Sequence, residues 1–288
     1  MIGIIGGTAM GQALGAIGGE RVDVDTPFGA PSGPLIVTRV QGVPVALLAR
    51  HGIGHHTPPT FVNYRANIWA LKKVGVRRVL ATTAVGSLQE HIQPGHLAIP
   101  DQLIDKTHRR KTTFFEDIAV HVELATPFCP SLREALLASA SKVQTVVHTG
   151  GTYVCMEGPA FSTRAESELH RSWGAHLIGM TAMPEAKLAR EAELHYAVVA
   201  LATDYDCWHD TEQQVSVDSV VAILRDNVAN VRRVLQRALP AIARLEPTCH
   251  CASALDTAIL TDPRNVPSDR LRELAPLLAK YRARFGHA

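Results

Sequence analysis

The sequence has no large excess of either charge. It is 288 residues long, and its 29 Lys and Arg residues nearly balance its 27 Asp and Glu residues, for a formal net charge of +2. No basic stripe runs along any segment. The densest basic run, residues 108–111, indicates a short solvated turn. The composition therefore argues against nucleic acid as a partner.

Long apolar runs are also absent from the sequence. No stretch approaches the roughly 20 apolar residues that a membrane span needs. The first residues indicate a short strand and a glycine turn instead of a signal peptide. We therefore expect a soluble cytoplasmic protein with no membrane partner. With 46% hydrophobic and 19% charged residues, the chain can form one extended α/β domain or two small ones.

Cysteine is scarce, and the usual metal-site spacings are missing. The five cysteines are an odd, low number, and Cys129, Cys155 and Cys207 lie in segments that indicate core or pocket. Neither HExxH nor a paired CxxC motif occurs among the fourteen histidines, which argues against a metal site. Cys249 and Cys251 leave three interpretations open: a reversible disulfide, a metal clip or two unrelated thiols.

Short apolar runs alternate with helical patterns along the chain. The predicted strands cover residues 2–5, 35–40, 45–48, 78–83, 145–148 and 196–203. Such interleaving predicts an α/β fold with a mixed, mostly parallel sheet flanked by helices. One helix is predicted over residues 58–74, with Thr57 as its N-cap and Gly75 after its last turn.

A second helical pattern begins near Ser216 and is predicted to stop at Pro240. The composition changes after Pro240. We therefore predict a catalytic domain over residues 1–240 and a C-terminal helical extension over residues 241–288. Within the extension, a helix is predicted from about residue 269 to residue 284.

Three of the predicted strands end in polar residues that suit an anion. Thr8 follows two glycines, Arg50 and His51 follow a second strand, and Thr82 and Thr83 lie in a third. Taken singly, each feature is as compatible with an ordinary turn or a surface pair. Because parallel strand ends share one edge of a sheet, together they indicate an anion-binding site.

The strand over residues 196–203 ends in two acids, Asp204 and Asp206. Its continuous apolar character indicates burial on both faces. Ligands of such sheets bind beyond the carboxyl ends of the strands, where both carboxylates could hold one polar edge of a ligand. The alternative is that the acids cap the next helix or face solvent.

Two further loops contain residues that could contact a flat ligand. Phe161 lies in a loop between a predicted strand and a helix, where it could stack on a base or belong to the core. Met180 precedes a helix opened by Pro184, and a Met in such a place is ordinarily a gap-filler in a core.

Seven motifs occur in one order: IIGGT (4–8), DTPFG (25–29), LARH (48–51), VNYRANIWAL (62–71), TTA (82–84), MEGP (156–159) and ATDYDCW (202–208). In this order they closely resemble the 5′-methylthioadenosine phosphorylases, in the trimeric branch of the nucleoside phosphorylase family. The resemblance covers roughly residues 1–240. Beyond that it is looser, although the Cys-x-Cys segment is similar to the tails of some microbial members, a few of which form disulfides there.

The resemblance implies a single-domain nucleoside phosphorylase-like fold and a homotrimer with no metal or organic cofactor. Asp204 would be catalytic and face purine N7 and the 6-amino group, assisted by Asp206. The phosphate co-substrate would be held by Thr8, Arg50, His51, Thr83, Ala84 and Thr181. The nucleoside would contact Phe161, Met180, Thr181, Val217, Val220, Val221 and, from a neighbouring subunit, His121.

The implied reaction is phosphorolysis of 5′-methylthioadenosine to adenine and 5-methylthioribose 1-phosphate, in purine and methionine salvage. Cleavage builds positive charge on the sugar and negative charge on the base. Phosphate would attack the sugar while a protonated aspartate neutralises the leaving adenine. The alternatives are a purine nucleoside phosphorylase of broad or 6-oxopurine specificity, a nucleosidase that uses water, and a non-catalytic nucleotide-binding regulatory protein.

Two positions depart from the family pattern beside the implied pocket. Ala160 stands where many relatives carry Gln or Arg, and Gly179 stands where many carry Asn. Both bear on substrate preference and leave the reaction class unchanged.

Overall fold

The computed structural model describes residues 1–6, 19–209 and 217–285. Its strands join in one sheet of eleven. They are β1 (Ile2–Gly6), β2 (Glu20–Val22), β3 (Leu35–Val40), β4 (Val43–Ala49), β5 (Arg78–Ser87), β6 (Leu97–Ile99), β7 (Gln102–Lys106), β8 (Val147–Thr149), β9 (Thr152–Met156), β10 (Leu177–Gly179) and β11 (His195–Asp204).

Helices flank this sheet. The α-helices are α1 (Tyr64–Lys73), α2 (Pro130–Ala140), α3 (Arg164–Ser172), α4 (Ala182–Glu191), α5 (Val217–Arg244), α6 (Ser268–Glu273) and α7 (Ala275–Leu278). Short 3-10 helices cover Pro59–Phe61, His250–Ser253, Pro263–Asn265 and Ala279–Phe285. No helix in the described ranges is both long and apolar enough to cross a membrane.

The sheet is mixed and mostly parallel, as predicted. The long strand β5 pairs in parallel with β1 and β11 and, at its end, antiparallel with β10. Strand β4 lies parallel to β1 on its other side. The carboxyl ends of β1, β4, β5 and β11 therefore point the same way, which brings the predicted polar loops to one edge.

Strand β11 is buried along both faces, as its apolar run predicted. Tyr196, Val198 and Ala200 face one core cluster, whereas Ala197 and Val199 face the other. Alternate side chains of a strand point to opposite faces, so a strand with helices on both sides needs apolar residues throughout.

The predicted helix over residues 58–74 begins later than expected, and Thr57 is not its N-cap. A 3-10 turn comes first, and α1 begins at Tyr64 after Asn63, whose side chain accepts a hydrogen bond from Ala66 N at 3.2 Å. An Asn oxygen satisfies a free N–H of the first turn as well as a Thr hydroxyl does. Gly75 follows the helix at φ +87°, as predicted.

Pro240 does not stop the long helix, which continues to Arg244. Ala238, Leu239 and Ile242 are fully buried on either side of it. A proline inside a helix loses one backbone hydrogen bond. Here the apolar contacts of the last turns outweigh that loss.

The predicted C-terminal helix is also divided. It consists of α6, α7 and the 3-10 turn, with a break at the buried Leu274. Leu277, Leu278, Tyr281 and Phe285 pack in the same core cluster as α1. The extension is therefore attached to the main core, and its division from residues 1–240 stays a prediction.

Candidate active site

Arg50, directly after β4, is held in a buried ion pair. Its Nε and Nη2 donate to the two oxygens of Glu185 at 2.8 and 3.0 Å, and Nη1 donates to Thr82 O at 3.0 Å. Its side chain is 2% exposed and that of Glu185 is fully buried. Burial alone would lower the pKa of Arg50, but Glu185 outweighs burial, so the pKa is raised and the cation persists. Contacts with the described residues use three of its five N–H donors, so two are left to bind a ligand.

Glu185 has no role in the sequence prediction, yet it orients the guanidinium. It lies in the first turn of α4, and Tyr196 OH also donates to its Oε1 at 2.8 Å. A forked carboxylate contact fixes the plane of an Arg side chain. No local sequence signal distinguished Glu185 from the other charged residues of this helix, because its partner lies 135 residues away.

His51 is buried beside Arg50 and stacks on His55, with ring centroids 4.3 Å apart. Burial and the charge of Arg50 lower the pKa of His51 to about 4, so the ring is neutral at pH 7. Its Nδ1 lies 2.9 Å from Thr57 O, and a carbonyl oxygen only accepts. The proton therefore belongs on Nδ1, which leaves Nε2 as an acceptor.

The predicted phosphate-binding hydroxyls meet at the same edge. Thr83 Oγ1 lies 3.2 Å from Thr181 Oγ1, although the two residues are 98 positions apart. Ala84 is the next residue of β5, and its carbonyl accepts from Thr83 Oγ1 at 3.0 Å. Thr8 lies outside the described residues. Gly6, at the end of β1, accepts from Arg50 N at 2.9 Å, so the strand that precedes Thr8 ends beside Arg50.

Asp204 and Asp206 form a locally bonded pair at the end of β11. Asp204 accepts from Thr203 Oγ1 at 2.7 Å and from Asp206 N at 2.8 Å. Burial raises the pKa of Asp204 above its usual range, and the charge of Asp206 adds to the shift. Gly86 leaves room for the Asp204 carboxylate, since a Cβ at position 86 would lie 2.9 Å from Asp204 Oδ1. Asp206 is buried and Asp204 is half-buried, so the alternative that both acids simply face solvent is wrong.

The second acid, Asp206, sits at φ +52°, where Asp is tolerated better than most residues. Its Oδ2 is buried and makes no well-formed hydrogen bond with any residue in the described ranges. Burial raises its pKa, while the nearby Ser167 and Ser162 hydroxyls and His170 oppose that shift. A buried acceptor without a partner is a position where a ligand donor could bind.

The predicted nucleoside-binding residues differ in how far they are buried. Phe161 is 45% exposed, which excludes the alternative of a core Phe. Met180 packs over Gly158, where a Cβ would lie 2.5 Å from its sulfur. Val221 is half-buried on α5. The side chains of Val217 and Val220 lie outside the described part of the structure. His121 is exposed, and its backbone N donates to Ala258 O at 2.9 Å.

Arg110 joins the loops around the site, and its interpretation as part of a solvated turn is wrong. Its side chain is 1% exposed. It donates to Met180 O and Met183 O, both at 2.6 Å, and to Glu157 Oε1 at 3.0 Å. Its neighbours in sequence, including His108, are exposed as predicted. Local charge density cannot distinguish one buried Arg from exposed ones beside it.

The space beside Gly179 is filled by the fully buried Tyr153. A Cβ at position 179 would collide with the Tyr153 hydroxyl and lie 2.8 Å from its Cζ. This hydroxyl is buried and makes no well-formed hydrogen bond within the described residues, although Thr83 and Thr181 lie near enough to affect its pKa, which burial raises. Tyr153 therefore occupies the space, next to the hydroxyls predicted to bind phosphate, that a larger residue 179 would need. Ala160 is exposed.

Comparison with known proteins agrees with this geometry. A family model described as the phosphorylase superfamily matches residues 1–240. The chain belongs to the phosphorylase superfamily. The S-methyl-5′-thioadenosine phosphorylase of Geobacter sulfurreducens is 49% identical over 98% of this chain and 99% of that protein.

Solved structures give the same result. A methylthioadenosine phosphorylase from an antarctic soil metagenomic library is 45% identical, with a TM-score of 0.90 over 96% of this chain and 98% of that one. The methylthioadenosine phosphorylase of Schistosoma mansoni in complex with adenine is 37% identical, with a TM-score of 0.85 over 90% of this chain and 98% of that one. These likenesses put the chain in the methylthioadenosine phosphorylase family, as the seven motifs predicted.

Proposed function

We propose that this protein cleaves 5′-methylthioadenosine with phosphate to give adenine and 5-methylthioribose 1-phosphate. The proposal rests on one observation: an anion-binding group and an acid pair lie on the same edge of the sheet. Arg50, Thr83 and Thr181 form the first, and Asp204 with Asp206 forms the second. Relatives that share nearly the whole chain carry the name of this activity.

The two groups are spaced to hold the two ends of a nucleoside. Gly86 pairs with Asp204, and Thr83 lies three residues earlier in β5. Three residues of a strand span about 10 Å. Phosphate held at Thr83 and a purine held at Asp204 therefore leave room for the ribose between them.

The residues match the charges that develop in the reaction. Arg50, kept charged by Glu185, holds phosphate ready to stabilise the sugar cation and to attack it. Asp204, whose pKa burial raises, can carry the proton that the leaving adenine takes up at N7. The reaction needs no cofactor, because binding, positioning and one proton transfer account for it.

The acid pair also favours adenine over a 6-oxopurine. A carboxylate accepts a hydrogen bond from a 6-amino group, whereas a 6-oxo group would bring a second acceptor to Asp204 and Asp206. An unmatched buried acceptor costs about 1–3 kcal/mol. The pair therefore argues against the alternative of a purine nucleoside phosphorylase with broad or 6-oxopurine specificity.

The active form is proposed to be a cytoplasmic homotrimer in which His121 completes the site of a neighbouring subunit. Its exposure on the single chain suits that role. Light scattering of the purified protein measures the oligomer directly. His121→Ala and Asp204→Asn chains are unfolded, mixed in equal amounts and refolded together. About a quarter of the sites should then be intact, because each site needs Asp204 from one subunit and His121 from its neighbour, and each of these is present in half of the chains. Activity no higher than the sum of the two variants alone would argue against a shared site.

The deciding experiment measures adenine or hypoxanthine release from methylthioadenosine, adenosine and inosine, each with and without phosphate. We expect methylthioadenosine to have the highest kcat/KM and to require phosphate. Inosine as the best substrate would establish the 6-oxopurine alternative. Release that is unchanged without phosphate would indicate a nucleosidase, and binding without release would indicate a regulatory protein.

A further inference from the structure

Four potential metal ligands converge far from the proposed active site. Cys129 Sγ lies 3.4 Å from His195 Nδ1 and 3.4 Å from Cys249 Sγ, and Cys249 Sγ lies 3.2 Å from His195 Nδ1. Cys251 is the fourth, and the donor atoms of all four lie within 4.8 Å of one another. Cys129, Cys251 and His195 are at most 6% exposed.

We propose that Cys129, His195, Cys249 and Cys251 bind one structural Zn²⁺. Three thiolates and one imidazole are a common closed zinc set, with Zn–S near 2.3 Å and Zn–N near 2.0 Å. In a tetrahedron of these bond lengths, neighbouring donor atoms lie about 3.5–3.8 Å apart. The three separations among Cys129, His195 and Cys249 are 3.2–3.4 Å, slightly shorter than this, and no donor is more than 4.8 Å from another, so small side-chain movements bring all four donors to one ion.

The cluster suits an ion better than a disulfide. A disulfide would use two sulfurs and leave a buried thiol and an imidazole beside them with no function. One divalent ion with three thiolates and a neutral His carries a single negative charge. A thiolate-rich tetrahedral set with one imidazole selects zinc among the common metals.

The site joins three distant parts of the chain. Cys129 immediately precedes α2, His195 begins β11, and Cys249 and Cys251 flank the start of the short 3-10 helix after α5. The last two lie beyond the part that the family model matches. An ion there would fasten the C-terminal extension to the sheet.

The position also separates the ion from catalysis. His195 and Asp204 are the opposite ends of β11, which at about 3.3 Å per residue is roughly 30 Å long. The ion is therefore expected to affect stability and to leave the chemistry of the reaction unchanged.

The test is the zinc content of the full chain, purified under reducing conditions without added chelator and measured by mass spectrometry. We expect about one zinc per chain in the wild type and in Cys207→Ser, whose thiol lies outside the cluster. In Cys251→Ser, zinc affinity should fall at least about 100-fold, because loss of a ligand costs more than loss of an outer hydrogen bond to one.

A second measurement keeps the test valid if Cys251→Ser does not fold. Wild-type protein stripped of metal is titrated with Co²⁺, and the thiolate-to-cobalt absorption band is recorded. A band that saturates at one equivalent, together with a higher Tm on adding Zn²⁺, supports the site. No zinc as purified and no cobalt band, with three of the five thiols free in a denatured sample prepared without reductant, would overturn the proposal in favour of a disulfide. No zinc and no band with five free thiols would overturn it in favour of unrelated thiols.

Discussion

The carboxyl group of Asp204 is buried where a charge is costly. Its oxygens accept from Thr203 and from Asp206 N, which partly offset that cost. Because the folded-state pKa is raised, the group favours folding below the unfolded pKa of 3.8, and this contribution is lost as the pH rises through the folded pKa. The acid thus costs stability at neutral pH, as expected of a catalytic group.

Asp204→Asn keeps the shape and removes the proton donor. We predict that kcat falls at least about 100-fold, the usual contribution of a general acid, while the KM for phosphate changes less than threefold. The Tm at pH 7.5 should be unchanged or higher, and the difference should shrink toward pH 4. Steady-state kinetics and calorimetry measure these effects. A variant that loses phosphate binding and keeps kcat would remove the assigned role.

Position 179 needs a glycine because Tyr153 packs directly against it. We predict that Gly179→Ala displaces the Tyr153 ring, destabilises the fold by about 1–3 kcal/mol and raises the KM for phosphate, because Thr83 and Thr181 lie beside that hydroxyl. Adding Tyr153→Phe should restore part of the loss, since the ring carbon remains close. Gly33→Ala, with no heavy atom within 4 Å of the new Cβ, is the matched control. Equal effects at both glycines would contradict this reading.

At the scale of elements, one side chain fastens three loops. Arg110 follows β7 and reaches the loops after β9 and β10, where it contacts Glu157 and Met180. These loops carry Phe161, Met180 and Thr181, so the relative position of the loops determines the shape of the proposed nucleoside pocket. A Lys could not reproduce the fork of donors that spans them.

We predict that Arg110→Lys lowers the free energy of unfolding by about 2 kcal/mol, since several buried carbonyl and carboxylate oxygens lose their donors. The KM for the nucleoside should rise more than the KM for phosphate, because Arg110 donates directly to Met180 O and Glu157, whereas it donates no hydrogen bond to Arg50 or Thr83. Urea unfolding and steady-state kinetics measure both effects. The neighbouring Arg109→Lys, with an exposed side chain, should behave as wild type. Similar losses in the two variants would count against the assigned role.

At the scale of the whole molecule, one buried acid makes stability depend on pH. Glu191 accepts from Phe114 N at 2.8 Å and from Thr113 Oγ1 at 2.7 Å, yet burial raises its pKa from 4.5 to about 7. Its contribution to stability is complete below pH 4.5 and is lost as the pH rises through about 7.

We predict that the wild type loses up to about 3 kcal/mol of unfolding free energy between pH 5 and pH 9. Glu191→Gln should flatten this decline. Glu116→Gln is the control, because its exposed carboxylate has a pKa lowered to about 2 and does not titrate in this window. Urea unfolding at a series of pH values provides the measurement. An identical decline in wild type and Glu191→Gln would rule out Glu191 as its source.

Sequence alone was enough to predict the class of sheet, the burial of β11 and, through the collinear motifs, the family of the chain. These depend on local periodicity and on residue order, which a sequence displays directly. It failed at the start of α1, at Pro240 and at Arg110, because an alternative cap, the burial of neighbouring turns and a buried partner are not visible in local patterns.

The folded chain was needed to show which residues meet. Glu185 orients Arg50 across 135 positions, Thr83 contacts Thr181 across 98, and Cys249 lies beside Cys129 across 120. The pKa values of Asp204 and His51 likewise follow from burial that no local pattern reports. Contacts of this kind depend on strand order and sheet register, so the chemistry of the site and the proposed zinc ligands emerge only once the chain is folded.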